Sequence, residues 1–161
     1  MLHRKDLNTI KLVAMTKLLM VCMANICRSP MACSVAQKLA ADTNLSHQLK
    51  FESAGTHAYH LGEKPDRRAE IALSSRGYEL VRTRSRRVSA KDFEDFDLIL
   101  AMDANNLADL RRLCPHFHLA KLRLLLDFAE GLNVNEIPDP YYGNAEGFER
   151  VLDLCEAGAR G

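Results

Sequence analysis

Apolar positions along the chain gather into short, nearly continuous blocks separated by longer stretches in which they recur at helical spacing. Lys17–Val21 is such a block, too short for a helix, and reads as a strand buried on both faces. Leu49–Ser53, which ends near Gly55, is a second strand, Leu98–Met102 a third and Leu122–Leu126 a fourth. Between them, Met31–Ala41 predicts a helix that opens at Ser29 and Pro30, with the proline at the first helical position, where a missing N–H costs nothing. Asp66 caps a helix that runs to about Arg76 and stops at Gly77. Asp103 opens another that reaches Leu113, and Glu146–Ala157 carries a final amphipathic one. Tyr59–Lys64 reads as loop, and Gly131–Gly143 is rich in turn residues. Strands alternating with helices predict an α/β fold, a doubly wound four-stranded parallel sheet flanked by helices. Ligands of such sheets bind beyond the carboxyl ends of the strands. That rule puts Cys22 and the ends of strands two and three on one rim.

Composition narrows the picture without changing it. The 161 residues fit one domain with a full core, and 47% hydrophobic with 27% charged residues suits a soluble globular protein. A net charge of +1 gives no electrostatic footing to a nucleic-acid or membrane-surface reading. No apolar run approaches the roughly 20 residues of a membrane span, so no membrane insertion is expected. Residues 1–14 are mixed in charge and lack the apolar core of a secretory signal, so they read as a disordered or upstream-start extension ahead of a single domain over 15–161. Five cysteines, an odd number at irregular spacing, make no disulfide framework.

The chemistry concentrates at Val21-Cys22-Met23-Ala24-Asn25-Ile26-Cys27-Arg28-Ser29-Pro30, the pattern V-C-x5-R-S-P between a strand and a helix. Backbone N–H groups of such a turn and of the helix start converge on a dianion. Arg28 can fork two donors onto the same oxygens. Cys22, at the floor of that cup, is expected to be held as a thiolate by the same field, and a thiolate nucleophile implies a reducing, cytoplasmic setting. C-x5-R alone is common by chance. The serine, the proline and the preceding strand make it specific.

With those residues quoted, the chain resembles the low-molecular-weight protein tyrosine phosphatases. The resemblance extends from about Lys17 to the last helix. Ser53-Ala54-Gly55-Thr56, the stretch Asp92-Phe93 through Met102-Asp103 with Asn106-Leu107, and Asp139-Pro140-Tyr141-Tyr142 are similar to three further blocks of that family, in order. The resemblance implies the flavodoxin-like strand order 2-1-3-4, Cys22 as nucleophile, Arg28 as phosphate clamp and Asp139 as general acid and base. It implies that the loop Met23, Ala24, Asn25, Ile26, Cys27 and Ser29 binds phosphate, and that Asn25, Ser29 and Ser53 form the network that holds the loop in shape. Ile26, Tyr59 and Tyr141 are implied as walls around the substrate's ring. No cofactor and no metal are implied; the partner is a phosphotyrosine-containing protein, and a monomer is the default. A protonated aspartate beside an ionised thiol leads to an expected optimum on the acidic side of neutrality.

Three positions depart from the family's pattern. Ala24 replaces a usual glycine, which would strain the loop if φ were positive there. Cys33 replaces a common glutamate. Arg82-Thr83-Arg84-Ser85-Arg86-Arg87 lacks the histidine that some relatives place near the loop asparagine.

Other residues carry two readings each. Asp139 by spacing alone is equally a turn former before proline. His116 and His118 lack a cysteine or carboxylate at ligand spacing and read as a solvated or packing pair. Cys27 either packs behind the loop or, as the resemblance favours, closes a reversible disulfide with Cys22. Cys33, Cys114 and Cys155 read as buried helix-face or loop cysteines. The arginines at 82, 84, 86 and 87 are either a solvated loop or a steering patch for acidic phosphopeptides. Tyr141 and Tyr142 are candidates for phosphorylation. A protein arginine phosphatase on the same scaffold is the rival function, disfavoured by the apolar Ile26 where such relatives tend to carry threonine. A thioredoxin-coupled arsenate reductase needs two more cysteines, and Arg82–Ser89 holds none. A phosphotyrosine-binding module without catalysis would be expected to have lost Cys22, Arg28 or Asp139, and all three are present.

Overall fold

A computed structural model describes residues 14–161, so the expected extension at 1–14 lies, except for its last residue, outside the described residues. The elements run β1 (Thr16–Cys22), α1 (Arg28–Asp42), β2 (Leu49–Gly55), α2 (Arg67–Ser75), α3 (Ala90–Asp95), β3 (Leu98–Ala101), α4 (Ala104–Leu113), β4 (Leu122–Leu124) and α5 (Ala145–Arg160). All strand pairs are parallel and the order is β2-β1-β3-β4, as the resemblance implied. β1 sits between two partners, which explains its apolar run. Leu19 and Val21 pack with Phe93, Ile99, Leu110 and Leu122 on one side. Met20 and Cys22 pack with Met31, Val35, Phe148 and Leu152 on the other. The first layer includes residues of α3 and α4, and the second includes residues of α1, α2 and α5. Each large side chain buried this way contributes roughly 1.5–3 kcal/mol.

Most helix boundaries follow the signals read above. Asp66 caps α2 by accepting from Arg68 N, and Gly77 follows with φ +79°, the left-handed residue that lets the chain turn away. Asp103 caps α4 through Asn106 N. Three details differ. α1 begins at Arg28, so Pro30 is in its first turn but not at its first position. The expected fourth strand stops at Leu124, because the Asp127 carboxylate accepts from Leu124 N at 3.1 Å and folds Leu125–Phe128 into a 3-10 turn. α3 has no counterpart in the sequence reading; six residues are too few for a helical period, and a capping box between Ser89 and Asp92 holds it.

Candidate active site

β1 ends at Cys22 and α1 begins at Arg28, so residues 23–27 must turn the chain at the carboxyl edge of the sheet. Two bonds moor the start of that turn: Thr56 N donates to Cys22 O and His57 N to Met23 O, both at 2.9 Å. The end of β2 passes so close beneath it that a Cβ on Gly55 would lie 2.7 Å from Met23 O and 3.1 Å from Ala24 C. Asn25 makes the reversal at φ +58°, a region asparagine tolerates better than most residues. Its amide nitrogen donates to Ser29 Oγ (2.8 Å) and Ser53 Oγ (2.9 Å), and its Oδ1 accepts from Arg86 N at 3.1 Å. Ser85 Oγ adds a bond to Ala24 O at 2.8 Å. Ala24 itself is outside the positive-φ region, so its methyl group brings no backbone strain.

Inside the turn, Cys22 Sγ lies 3.1 Å from Ser29 Oγ. Asn25 donates to that hydroxyl, whose own hydrogen has two acceptors in reach, the sulfur and Ala54 O at 3.5 Å. Among the described residues, the N–H groups of Met23, Ala24, Asn25, Ile26 and Cys27 donate to no protein acceptor. Five successive unpaired donors in the turn that follows a buried cysteine are what an anion-binding loop offers.

The Arg28 side chain is buried, 2% exposed, and held from three directions. Its Nη1 donates to Asp103 Oδ2 at 2.5 Å and to Ile137 O at 2.9 Å, while Nη2 lies 3.8 Å from Asp139 Oδ2. Burial pulls its proton affinity down, but Cys22, Asp103 and Asp139 outweigh that, so the guanidinium holds its proton more tightly than an ordinary arginine. A buried cation of this kind is tolerable only with such partners.

Above the cup opens a cleft of about 510 Å³, lined by Cys22, Arg28, Ile26 and Asp139 below and by Tyr59 and Tyr141 higher up. Met23, Ala24 and Cys27 line it too. Tyr59 is 68% exposed and stacks on His57 with ring centroids 5.2 Å apart. Tyr141 packs edge-on against Tyr142. Asp139 points one oxygen toward Arg28 and accepts Tyr141 N at the other, 3.1 Å away. Cys22 to Arg28, Tyr59, Asp139 and Tyr141 thus lie at one cleft, with Ser29 and Ser53 tied to it through Asn25.

Four more residues belong to the site's surroundings. His60 and Tyr142 line the cleft. Asp103, read only as a helix cap, also orients Arg28. Arg68 donates to Tyr141 O at 3.0 Å and lies over the Tyr141 and Phe148 rings, while forking onto Asp66, whose own N–H donates to Ile26 O. The strand-end rule pointed at the rim where Asp103 sits. No spacing signal marked Arg68.

The remaining cysteines are free thiols. Burial, joined by Asp66, Cys22 and Asp139, pushes the Cys27 thiol well above its ordinary range. Burial does the same to Cys33 and Cys155. Among the described residues no cluster of histidine, cysteine or carboxylate side chains could hold a metal ion, and His116 and His118 lie in a short 3-10 turn, His116–Lys121.

Sheet order and cup together define an α/β oxyanion-binding protein with a cysteine at the floor of its site. The model of the family described as low molecular weight phosphotyrosine protein phosphatase matches residues 17–161, and the chain belongs to that family. Its sequence is 39% identical to the low molecular weight protein-tyrosine-phosphatase YfkJ of Bacillus subtilis over 89% of this chain and 91% of that protein. Its structure is similar to a protein tyrosine phosphatase from Entamoeba histolytica, with TM-score 0.87, 41% identity, and 89% and 92% of the two chains covered. It is also similar to a Drosophila arginine phosphatase, with TM-score 0.84, 30% identity, and 90% and 94% covered.

Proposed function

We propose that the protein hydrolyses phosphotyrosine in protein substrates through a cysteinyl-phosphate. The observation that carries this is the run of unpaired N–H groups over residues 23–27, directly after Cys22, with Cys22, Arg28 and Asp139 lining the same cleft. In the first step Cys22 Sγ attacks phosphorus in line and the bond from phosphorus to the phenolic oxygen breaks. Charge spread over the three equatorial oxygens meets the loop N–H groups and Arg28, already oriented by Asp103 and Ile137 O. Protonated Asp139 delivers its proton to the departing phenolate. In the second step the Asp139 carboxylate takes a proton from water, the water oxygen attacks phosphorus, and the S–P bond breaks to regenerate the thiolate. Ile26, Tyr59 and Tyr141 offer an apolar slot suited to an aryl ring.

Nothing in this cycle requires a metal or cofactor. A reducing compartment such as the cytoplasm keeps Cys22 active. Among the described residues no helix is long and apolar enough to cross a membrane.

The test is phosphate release from a phosphotyrosine peptide and a phosphoarginine peptide in parallel, with Cys22→Ser as control. We expect turnover of the phosphotyrosine peptide, lost in the variant. The likeness to an arginine phosphatase makes the second arm necessary. A preference for phosphoarginine would reassign the substrate, and no turnover of either peptide would make the protein a binding module.

A further inference from the structure

A groove of about 1090 Å³ runs between α2 and the segment 78–84. Four cations line it, Lys64, Arg67, Arg82 and Arg84, against two carboxylates, Glu70 and Glu79. All six are exposed. Among the described residues none of the four cations pairs with a carboxylate, whereas Arg28, Arg68, Arg76 and Arg86 each do. The groove's local excess of two positive charges exceeds the net +1 of the entire chain, so it is a feature of this face and not of the molecule.

This face adjoins the cleft. Tyr59 and His60 line the cleft, and Lys64 and Pro65, a few residues on, line the groove. The strip between them is held by Gly62 N to Ser85 O (2.8 Å), Ser85 N to Glu63 O (2.9 Å) and Arg84 Nη1 to Gly62 O (3.5 Å). Ser85 in turn holds the phosphate loop through Ala24 O. An extended chain covers about 17 Å in five residues, enough to pass from Tyr59 to Lys64. A peptide bound by its phosphotyrosine therefore reaches the groove with residues a few positions away.

We propose that this groove receives the anionic flank of the substrate, carboxylate or phosphate side chains a few residues from the phosphotyrosine. The inference rests on the phosphotyrosine reading above and adds its sequence preference. Three of the four cations are arginines, whose planar fork suits either anion.

The test uses short phosphotyrosine peptides of one core sequence with glutamate, phosphoserine or glutamine flanks. Binding is read by fluorescence anisotropy on the Cys22→Ser protein. Turnover of the same peptides and of p-nitrophenyl phosphate is read on the unaltered enzyme. At low salt an anionic flank is expected to lower Kd and raise kcat/KM roughly tenfold over glutamine, the sum of two or three exposed ion pairs. The gain should shrink as salt rises. Arg67→Gln with Arg82→Gln should abolish it while leaving p-nitrophenyl phosphate turnover unchanged. Should that variant fail to fold, the salt dependence of the intact groove carries the test. A gain confined to phosphoserine identifies phosphate as the anion. Equal binding of all three flanks overturns the groove, even with full turnover. Absence of all turnover with the flank preference intact overturns the catalytic reading and keeps the groove. Displacement of the acidic peptide by phosphatidylglycerol–phosphatidylcholine vesicles through the same arginines would replace the peptide assignment with a membrane one.

Discussion

Asn25 holds the phosphate loop in two ways at once: its backbone makes the reversal at φ +58° and its side chain ties Ser29, Ser53 and Arg86 N together. Asn25→Ala removes three bonds, leaves buried partners unpaired and puts an alanine where left-handed backbone costs roughly 1–2 kcal/mol. We expect stability to fall by about 2–4 kcal/mol and kcat by more than tenfold, because Ser29 loses the donor that holds its hydroxyl beside Cys22. Thermal melts and p-nitrophenyl phosphate kinetics check both, and a variant with unchanged kcat would show the cup to be rigid without this tie. Gly55→Ala acts from the other side. Its new methyl would sit 2.7 Å from the carbonyl oxygen of Met23, a backbone atom that cannot swing aside. The loop has to shift, at a cost of about 1–3 kcal/mol, and catalysis should drop although no residue that touches substrate has changed. Retained kcat in a folded Gly55→Ala enzyme would mean that β2 yields instead of the loop. Cys22, Arg28, Asn25 and Ser29 were legible in the sequence because one continuous segment carries them. Asp103 and Arg68 were not, because their partners lie 75 and 73 residues away, and local spacing carries no record of such a contact.

Arg68 links two elements that approach the reacting atoms from different directions. α2 carries it, Asp66 at the start of that helix is bonded to the phosphate loop, and its guanidinium holds Tyr141 O two residues past Asp139. Its fork onto Asp66 depresses that carboxyl below its usual range, chiefly through the side-chain hydrogen bond, so the pair stays charged at neutral pH. Arg68→Ala should free the Asp139 loop from α2 while leaving Cys22 and Arg28 in place. The consequence depends on the leaving group. Tyrosine leaves with a pKa near 10 and needs its proton, whereas p-nitrophenol, far more acidic, leaves nearly unaided. We expect kcat to fall about tenfold for a phosphotyrosine peptide and much less for p-nitrophenyl phosphate. Equal losses on both would show that Arg68 acts through the phosphate loop and not through the acid. Elements themselves were read well where burial on both faces forces a continuous apolar run, as in β1. They were read poorly where a single carboxylate decides the outcome, as Asp92 does for α3 and Asp127 does for the end of β4.

At the scale of the molecule, α1 and α5 share one packed layer with the cysteine-bearing loop, and three thiols the proposed reaction does not use are enclosed there. Cys27, Cys33 and Cys155 are all buried, at 4%, 1% and 0% exposure. Burial raises each of them well above the ordinary 9.0. In the unfolded chain these thiols ionise from about pH 9, whereas in the folded protein they keep their protons. Unfolding then releases protons, so the stability these groups contribute is complete below pH 9 and is lost progressively as pH rises above it. Each thiol contributes a slope of about 1.4 kcal/mol per pH unit once its unfolded form is ionised, and three together reach about 4. Tyr78, pushed up to about 12 by burial and by its hydrogen bond to Glu156, adds to the loss from around its ordinary 10.0. Urea denaturation with reductant present, from pH 7 to 10.5, should therefore give a midpoint that is insensitive to these groups up to pH 9 and falls steeply beyond. Cys155→Ala should be less stable at pH 7, from the cavity it leaves, yet lose stability more slowly above pH 9, by about one third of the thiol slope. A parallel offset of the two curves across the whole range would mean that Cys155 ionises as readily in the folded layer as in water, and that the packing of α5 against the loop is looser than its burial implies.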